Sequence, residues 1–266
     1  MQSSMQTKKD PYFLPDSFID FALMPKFDDD IDFLAGLAEP EEWDYKNTPF
    51  TEPKPILRNY IKYTYRRIAE EKKVAVTQDE KYACWNTGLI TPTQEPIFII
   101  FEENKFPNHR AYWHFCKFVR KGERELNKFL SLPEMAHYFD DPAHLVYDTR
   151  KELRPNIEHI VQDNRNRFPA ALQSMNTFGL QNLVKGAIDS VHERVKRNYK
   201  TAIPQYYSSS IQLLLPLSLT DPSKADLALV VDRFPDFYRA STCLTLDMAY
   251  NNARQLARPD RDWLQP

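Results

Sequence analysis

Proline outnumbers glycine twenty to five in this chain of 266 residues, and that ratio constrains the fold more than any motif does. Proline fixes φ and withholds an amide donor, so it rations long uninterrupted elements and makes turns stiff and well placed. Scarce glycine argues against loops that cradle phosphate on repeated glycines. Neither G-x-x-x-x-G-K-[ST] nor G-x-G-x-x-G occurs, and H-E-x-x-H and G-x-S-x-G are missing too. The length suits one large domain or two small ones, at about 100–200 residues each. With 42 % apolar and 27 % charged residues the chain is neither fibrous nor wholly disordered.

Cys84, Cys116 and Cys243 lie far apart and form no C-x-x-C pair. That pattern excludes a disulfide scaffold and a four-thiolate zinc site, and it fits a reducing compartment. The first residues lack the basic-then-apolar order of a signal peptide. No apolar run approaches the roughly 20 residues a bilayer crossing needs. The expectation is a cytoplasmic protein with no membrane partner.

Charge is distributed unevenly. Ten acidic residues against Lys26 give residues 16–44 a charge of −9; residues 1–15 carry +1, and residues 45–266 carry +6 within a total of −2. Residues 1–50 read as an acidic leader, with Phe18, Phe21, Phe27 and Phe33 interspersed. Two readings stand: a solvated, flexible arm, or an arm that docks on a basic groove or captures a protein partner.

Apolar periodicity sketches the rest. Leu57, Ile61, Thr64 and Ile68 recur at helical spacing within 53–73, and Leu180, Val184, Ala187, Ile188, Val191 and Val195 do so within 178–200. Short strands are expected at 74–76, 82–85 and 96–101, at 209–217 and 225–232 as a hairpin, and at 241–246. Residues 107–119 satisfy neither period. Short helices are expected at 123–129 and 133–138, and a last helix from Asp247, its N-cap, to about residue 258. The class is α+β: a mostly antiparallel sheet flanked by several helices, in a single main domain over 51–266.

Four polar clusters fall at predicted element ends. Trp85-Asn86-Thr87-Gly88-Leu89 is either a hairpin turn or a set of amides offered to an anion. In the second, His159 and Asp163 stand four residues apart on one helix face, suiting an acid/base pair, and Arg165 and Arg167 form a donor-rich segment. Its plain alternative is a capped helix end. The third, residues 197–207, combines Asn198, Lys200, Gln205, Tyr206 and Tyr207, a mixture that holds a nucleotide by phosphate contact and stacking. Structural tyrosines on a solvated basic face would look the same. The fourth places Asp247, Asn251 and Arg254 along one helix face, and its adjacent Asn251 and Asn252 are poor helix formers. A capped, exposed helix is the simpler reading.

Several strings resemble one family. They are Asn198-Tyr199-Lys200-x-Ala202-Ile203-Pro204-Gln205-Tyr206-Tyr207, Ile211-Gln212-Leu213-Leu214-Leu215-Pro216-Leu217, and the run from Ser241-Thr242 through Asp247-Met248-Ala249-Tyr250-Asn251-Asn252-Ala253-Arg254 to Arg258-Pro259-Asp260. With Asn86-Thr87-Gly88-Leu89 and His159-x-x-x-Asp163-Asn164-x-x-Arg167-Phe168-Pro169, they are similar to the family called domain of unknown function 3825, over about residues 53–265. The resemblance implies an RNA- or nucleotide-linked setting, with no reaction and no cofactor assigned. The leading expectation is therefore an RNA- or nucleotide-binding domain. Lys200, Arg167 and Arg254 would meet phosphate, Tyr206 or Tyr207 would stack, and Asn86, Asn198 and Asn251 would read base edges. One alternative is a hydrolase or nuclease on the same ligand, with His159 as general acid or base, Asp163 orienting it and Asp247 recruiting a divalent ion. The other is a protein-interaction module.

Overall fold

The computed structural model of the protein describes residues 10–106, 110–259 and 263–264. Contacts divide these into two units: one within Met1–Asp44 and Thr51–His137, the other within Tyr45–Phe50 and Tyr138–Pro266. The class is α+β, as the strand and helix pattern implies, and its strands form two five-stranded sheets. Each sheet is antiparallel except for one parallel edge strand. No described helix is long and apolar enough to cross a membrane.

In the first unit a short helix α1 (Phe18–Phe21) leads into strand β1 (Ala22–Leu23) and helix α2 (Phe27–Leu37). The long helix α3 (Pro55–Glu70) follows, then strands β2 (Ala75–Val76), β3 (Tyr82–Ile90), β4 (Pro96–Glu103) and β5 (Trp113–Arg120). The sheet order is β1-β5-β4-β3-β2, with β1 parallel to β5. Much of the stretch expected as a leader is thus built into this unit. Phe18, Phe21, Ile31, Leu34 and Trp43 are buried, and burying such apolar side chains outweighs the solvation of the intervening aspartates, which are exposed apart from the half-buried Asp30. Phe18 and Phe21 pack on Tyr65 of α3 and Phe101 of β4, with centroids 4.7–6.2 Å apart.

Two further local expectations are revised, and one open stretch is assigned. The Asn86-Thr87-Gly88 stretch is a kinked part of β3, with a register shift between Asn86 and Ile90, rather than a hairpin end. Residues 133–138 are extended, not helical, because side chains of and just beyond α3 claim their backbone. Arg67 Nε donates to the His137 carbonyl at 2.7 Å, Lys73 Nζ to the Met135 carbonyl at 3.0 Å, and the His137 amide to Glu71 at 3.1 Å. Of the undecided stretch 107–119, residues 113–119 belong to β5, while Pro107 lies outside the described residues.

The second unit begins with strand β6 (Glu152–Pro155), helices α4 (Ile157–Asp163) and α5 (Ala170–Gln173), and the long helix α6 (Thr177–Arg197). Strands β7 (Ile203–Tyr207), β8 (Ser210–Leu217), β9 (Leu227–Arg233) and β10 (Phe237–Leu244) follow, and helix α7 (Leu246–Arg254) closes the series. The sheet order is β6-β10-β9-β8-β7, with β6 parallel to β10. Strand alternation sends Leu213, Leu215, Leu217, Leu229 and Val231 into one core with the apolar stripe of α6. Gln212, Leu214 and Val230 therefore face the opposite side, where α7 lies.

The two units share a topology that no sequence periodicity reveals. In each, a short strand is followed by one shorter helix (α2) or two (α4 and α5), then a long amphipathic helix and a four-stranded antiparallel meander. The first strand then pairs parallel with the last, giving the order 1-5-4-3-2 twice.

Candidate functional site

In the second unit, six of the twelve polar residues singled out in the sequence lie on α7 or beside it. Helix α6 stops at Asn198, whose Oδ1 accepts from the Lys200 amide at 3.0 Å and so opens a 3-10 turn over Tyr199–Thr201. That turn feeds β7, an element hidden from sequence reading by Pro204 and a polar composition. Beside it the chain leaves α7 through Leu256, Ala257, Arg258 and Pro259. Between the two runs lies a cleft of about 240 Å³, closed on a third side by Leu145 and Val146. Its walls are largely apolar, with Pro204, Ala253 and Leu256 among them. Its polar features are Tyr199, whose ring is 67 % exposed, and two exposed cationic side chains, Lys200 and Arg258.

Helix α7 is fixed at its start by a carboxylate 200 residues from its partners. Asp247 is 2 % exposed and accepts from Asn47 Nδ2 at 3.1 Å and Thr48 Oγ1 at 2.6 Å. Asn251, one turn on, donates to the Tyr45 hydroxyl and to the Asp247 carbonyl. Asp247 is not the N-cap. Thr245 is, with extended backbone and an Oγ1 that accepts from the Met248 amide at 3.4 Å. Asp247 sits in the first turn, where the helix dipole favours an anion, while its carboxylate holds the segment 45–50. Its oxygens serve as an anchor, and among the described residues no three His, Cys, Asp or Glu groups gather to hold a metal ion.

A line of amides runs from α7 across the sheet. Asn252 Nδ2 donates to Gln205 Oε1 at 3.2 Å, Gln205 Nε2 to Gln212 Oε1 at 2.7 Å, and Gln212 Nε2 to Asp232 Oδ1 at 2.7 Å. Gln205 is 1 % exposed, so its amide must be satisfied internally, and this relay does so. The adjacent asparagines, unfavourable for a helix, are accounted for by these two tertiary anchors. Arg254 is buried in the last turn of α7.

The remaining sequence candidates stand elsewhere. His159 Nδ1 lies 2.8 Å from Asp163 Oδ2, as their spacing requires, but both are about half exposed on α4 and neither lines the cleft. Arg167 Nη1 donates to Asn164 Oδ1 at 2.7 Å and the Cys243 carbonyl at 2.6 Å, beside the bulge of β10 near Thr242. This guanidinium is tied into the fold. Burial raises the Cys243 thiol to about 12, with Arg167 pulling against it, so the thiol stays protonated. Tyr206 is half-buried edge-on to Tyr138 at 4.8 Å, and alternation turns it away from Gln205. Tyr207 is exposed at the end of β7 remote from Lys200. Asn86 belongs to the first unit, where its Oδ1 accepts from the Gly88 amide at 3.0 Å. Asp260 lies outside the described residues.

Of the twelve residues picked from sequence, then, Lys200 alone lines the cleft; Asn198 shapes it, and Gln205, Asp247, Asn251 and Arg254 fix the elements around it. In the sequence, Tyr199 and Arg258 were quoted only as parts of strings, with no ligand role for either. Sequence reasoning also assigned Asn47 and Thr48 to the leader, where no local signal marks a bond spanning 200 positions.

A family model described as domain of unknown function (DUF3825) matches residues 34–263, which takes in part of the first unit, from within α2 onward, and nearly all of the second. No curated protein and no solved structure matches the chain.

Proposed function

Since this chain belongs to the family of domain of unknown function 3825, whose description names no reaction, we propose from its own chemistry that the second unit binds a nucleotide or RNA. The phosphate would meet Lys200 and Arg258, and the base would lie against Tyr199. One observation carries this reading: an otherwise apolar cleft has two cations and a tyrosine ring at its rim. Cations supply phosphate affinity without base preference, and an aromatic face adds sequence-tolerant stacking. At about 240 Å³ the cleft is smaller than the ~300–1,000 Å³ of drug-sized sites and suits a single base and sugar better than a duplex.

The reading is one of binding rather than turnover. His159 and Asp163 form a bare surface pair away from the cleft walls, so His159→Ala is expected to leave binding unchanged. The test titrates a fluorescent ribonucleoside monophosphate and a five-residue oligoribonucleotide against the protein at several salt concentrations. Two phosphate contacts on a single strand give a log–log salt slope near −1.4, at roughly −0.7 per contact. Lys200→Ala and Arg258→Ala should each remove about half of that slope. Tyr199→Ala should weaken binding by about tenfold at constant slope, as expected for one lost stacking contact. Absence of binding, or binding indifferent to all three substitutions, refutes the assignment.

A further inference from the structure

The first unit carries a second cleft of different chemistry. It encloses about 220 Å³ and is lined by Phe18, Ile19, Leu23, Met24 and Phe27, with Lys62 as its cation. We propose that it docks a basic peptide, taking one leucine- or methionine-like side chain into the apolar floor while flanking lysines or arginines meet an acidic rim.

The floor is apolar and accessible, since Ile19 is 66 % exposed and Leu23 and Met24 are only partly covered. One exposed aliphatic residue is ordinary on a protein surface, but several converging on a concave wall mark a contact site. The rim decides the partner. Asp20 follows Ile19 directly, and Asp28 and Asp29 follow Phe27 at the start of α2. Asp28 is bonded to Arg58, whereas the exposed side chains of Asp20 and Asp29 make no bond among the described residues. The cationic groups of Lys62 and Arg58 sit over the Phe27 ring, 5.5 and 5.3 Å from its centroid, so both are drawn to the aromatic wall. Between positions 16 and 32 lie six aspartates; Asp28 is bonded to Arg58 and Asp32 to Lys54, and with Lys26 and Lys62 also counted the acidic groups keep an excess of two. Such a field repels phosphate and attracts lysine and arginine. Asp30 shows the crowding: burial first and Asp29 second hold its carboxyl above the usual carboxylate range.

This inference is independent of the nucleotide reading, which concerns the other unit and the opposite charge. The test measures fluorescence anisotropy of a labelled nine-residue peptide with a central leucine between lysines, against the full chain. One control replaces the leucine by serine, and another replaces the lysines by glutamate. Expected are micromolar binding of the parent peptide, at least about tenfold weaker binding of the serine control, and none of the glutamate control. Ile19→Ser changes an exposed side chain and leaves the fold intact, as circular dichroism would verify; it should weaken binding by about fivefold. Asp20→Asn with Asp29→Asn should flatten the salt dependence. The proposal is overturned if the serine control binds as well as the parent, or if Ile19→Ser has no effect. Self-association of the free protein that Ile19→Ser abolishes would also overturn it, since a second copy would then be the occupant.

Discussion

Gly88 is the position where one methyl group should cost the most. Its φ is +72°, a conformation L side chains rarely adopt, and an added Cβ would stand 2.6 Å from the Tyr60 hydroxyl. That hydroxyl donates to the Thr87 carbonyl at 3.0 Å in a buried setting, and Thr87 Oγ1 in turn donates to the Ile97 carbonyl at 2.7 Å. Gly88→Ala therefore incurs about 1–2 kcal/mol for the left-handed backbone. Displacing Tyr60 adds roughly 1–2 kcal/mol for a broken bond and a buried carbonyl left unpaired. The sum is about 2–4 kcal/mol. Tyr60→Phe alone should cost about 1–2 kcal/mol, and it removes the atom that the new methyl meets. The double variant should thus be less destabilised than the two singles together, by about 1 kcal/mol. Urea unfolding followed by tryptophan fluorescence reads the right unit, because Trp43, Trp85 and Trp113 are buried there and only Trp263 is in the other. A Gly88→Ala loss below about 0.5 kcal/mol, or strict additivity with Tyr60→Phe, would refute the reasoning.

Other perturbations test other parts of the fold. Thr245→Ala removes the α7 cap and should cost about 1 kcal/mol in urea unfolding of the second unit. Asp247→Ala should cost about 1–2 kcal/mol and, more tellingly, release residues 45–50, read as faster hydrogen exchange and tryptic cleavage after Lys46. At Glu71, burial pushes the carboxyl up, but bonds from Lys73 and the His137 amide together with the Arg67 charge overcome it, leaving the group below the usual carboxylate range. A depressed folded value means this contribution is full above the unfolded value near 4.5 and is lost as pH falls through the folded one. Glu71→Gln should therefore narrow the stability gap between pH 7 and pH 3, measured by urea midpoints, with no change between pH 6 and pH 8.

Elements whose apolar period is long were legible in the sequence. The stripe from Leu180 to Val195 marks α6, and Leu57, Ile61 and Ile68 mark α3, since one buried face must repeat every three to four residues. The hairpin of β8 and β9 was legible because Asp221 accepts from the Ser223 amide, as an Asp-Pro-Ser turn does. What escaped depends on distant partners. Strand β1 is two residues long and exists by pairing with β5, and residues 133–138 are extended because Arg67, Glu71 and Lys73 hold them. The site was half legible. Lys200 and the adjacent asparagines stood out by type, but a cleft is made by chain proximity, and nothing local brings Tyr199 beside Arg258.

The repeated 1-5-4-3-2 order gives this division a physical logic. A strand, two or three helices and a four-stranded meander are enough to bury one sheet face under a long helix, and either unit does so with unrelated residues. The second unit then adds α7 across its other face and continues past it to Arg258, whereas in the first unit helix α1 immediately precedes the edge strand. Each cleft lies at such an addition: the basic one is walled by the exit from α7, and the apolar one with the acidic rim is walled by α1 and the start of α2. Function would then be carried by what each copy of the topology acquired, not by the shared sheet. Exchanging chemistry between the two clefts should accordingly leave folding unaffected: Lys200→Glu in one and Ile19→Ser in the other alter exposed side chains outside both sheets. Urea midpoints within about 0.5 kcal/mol of the parent are expected for both. A cooperative loss of folding from either change would show that the clefts belong to the cores after all.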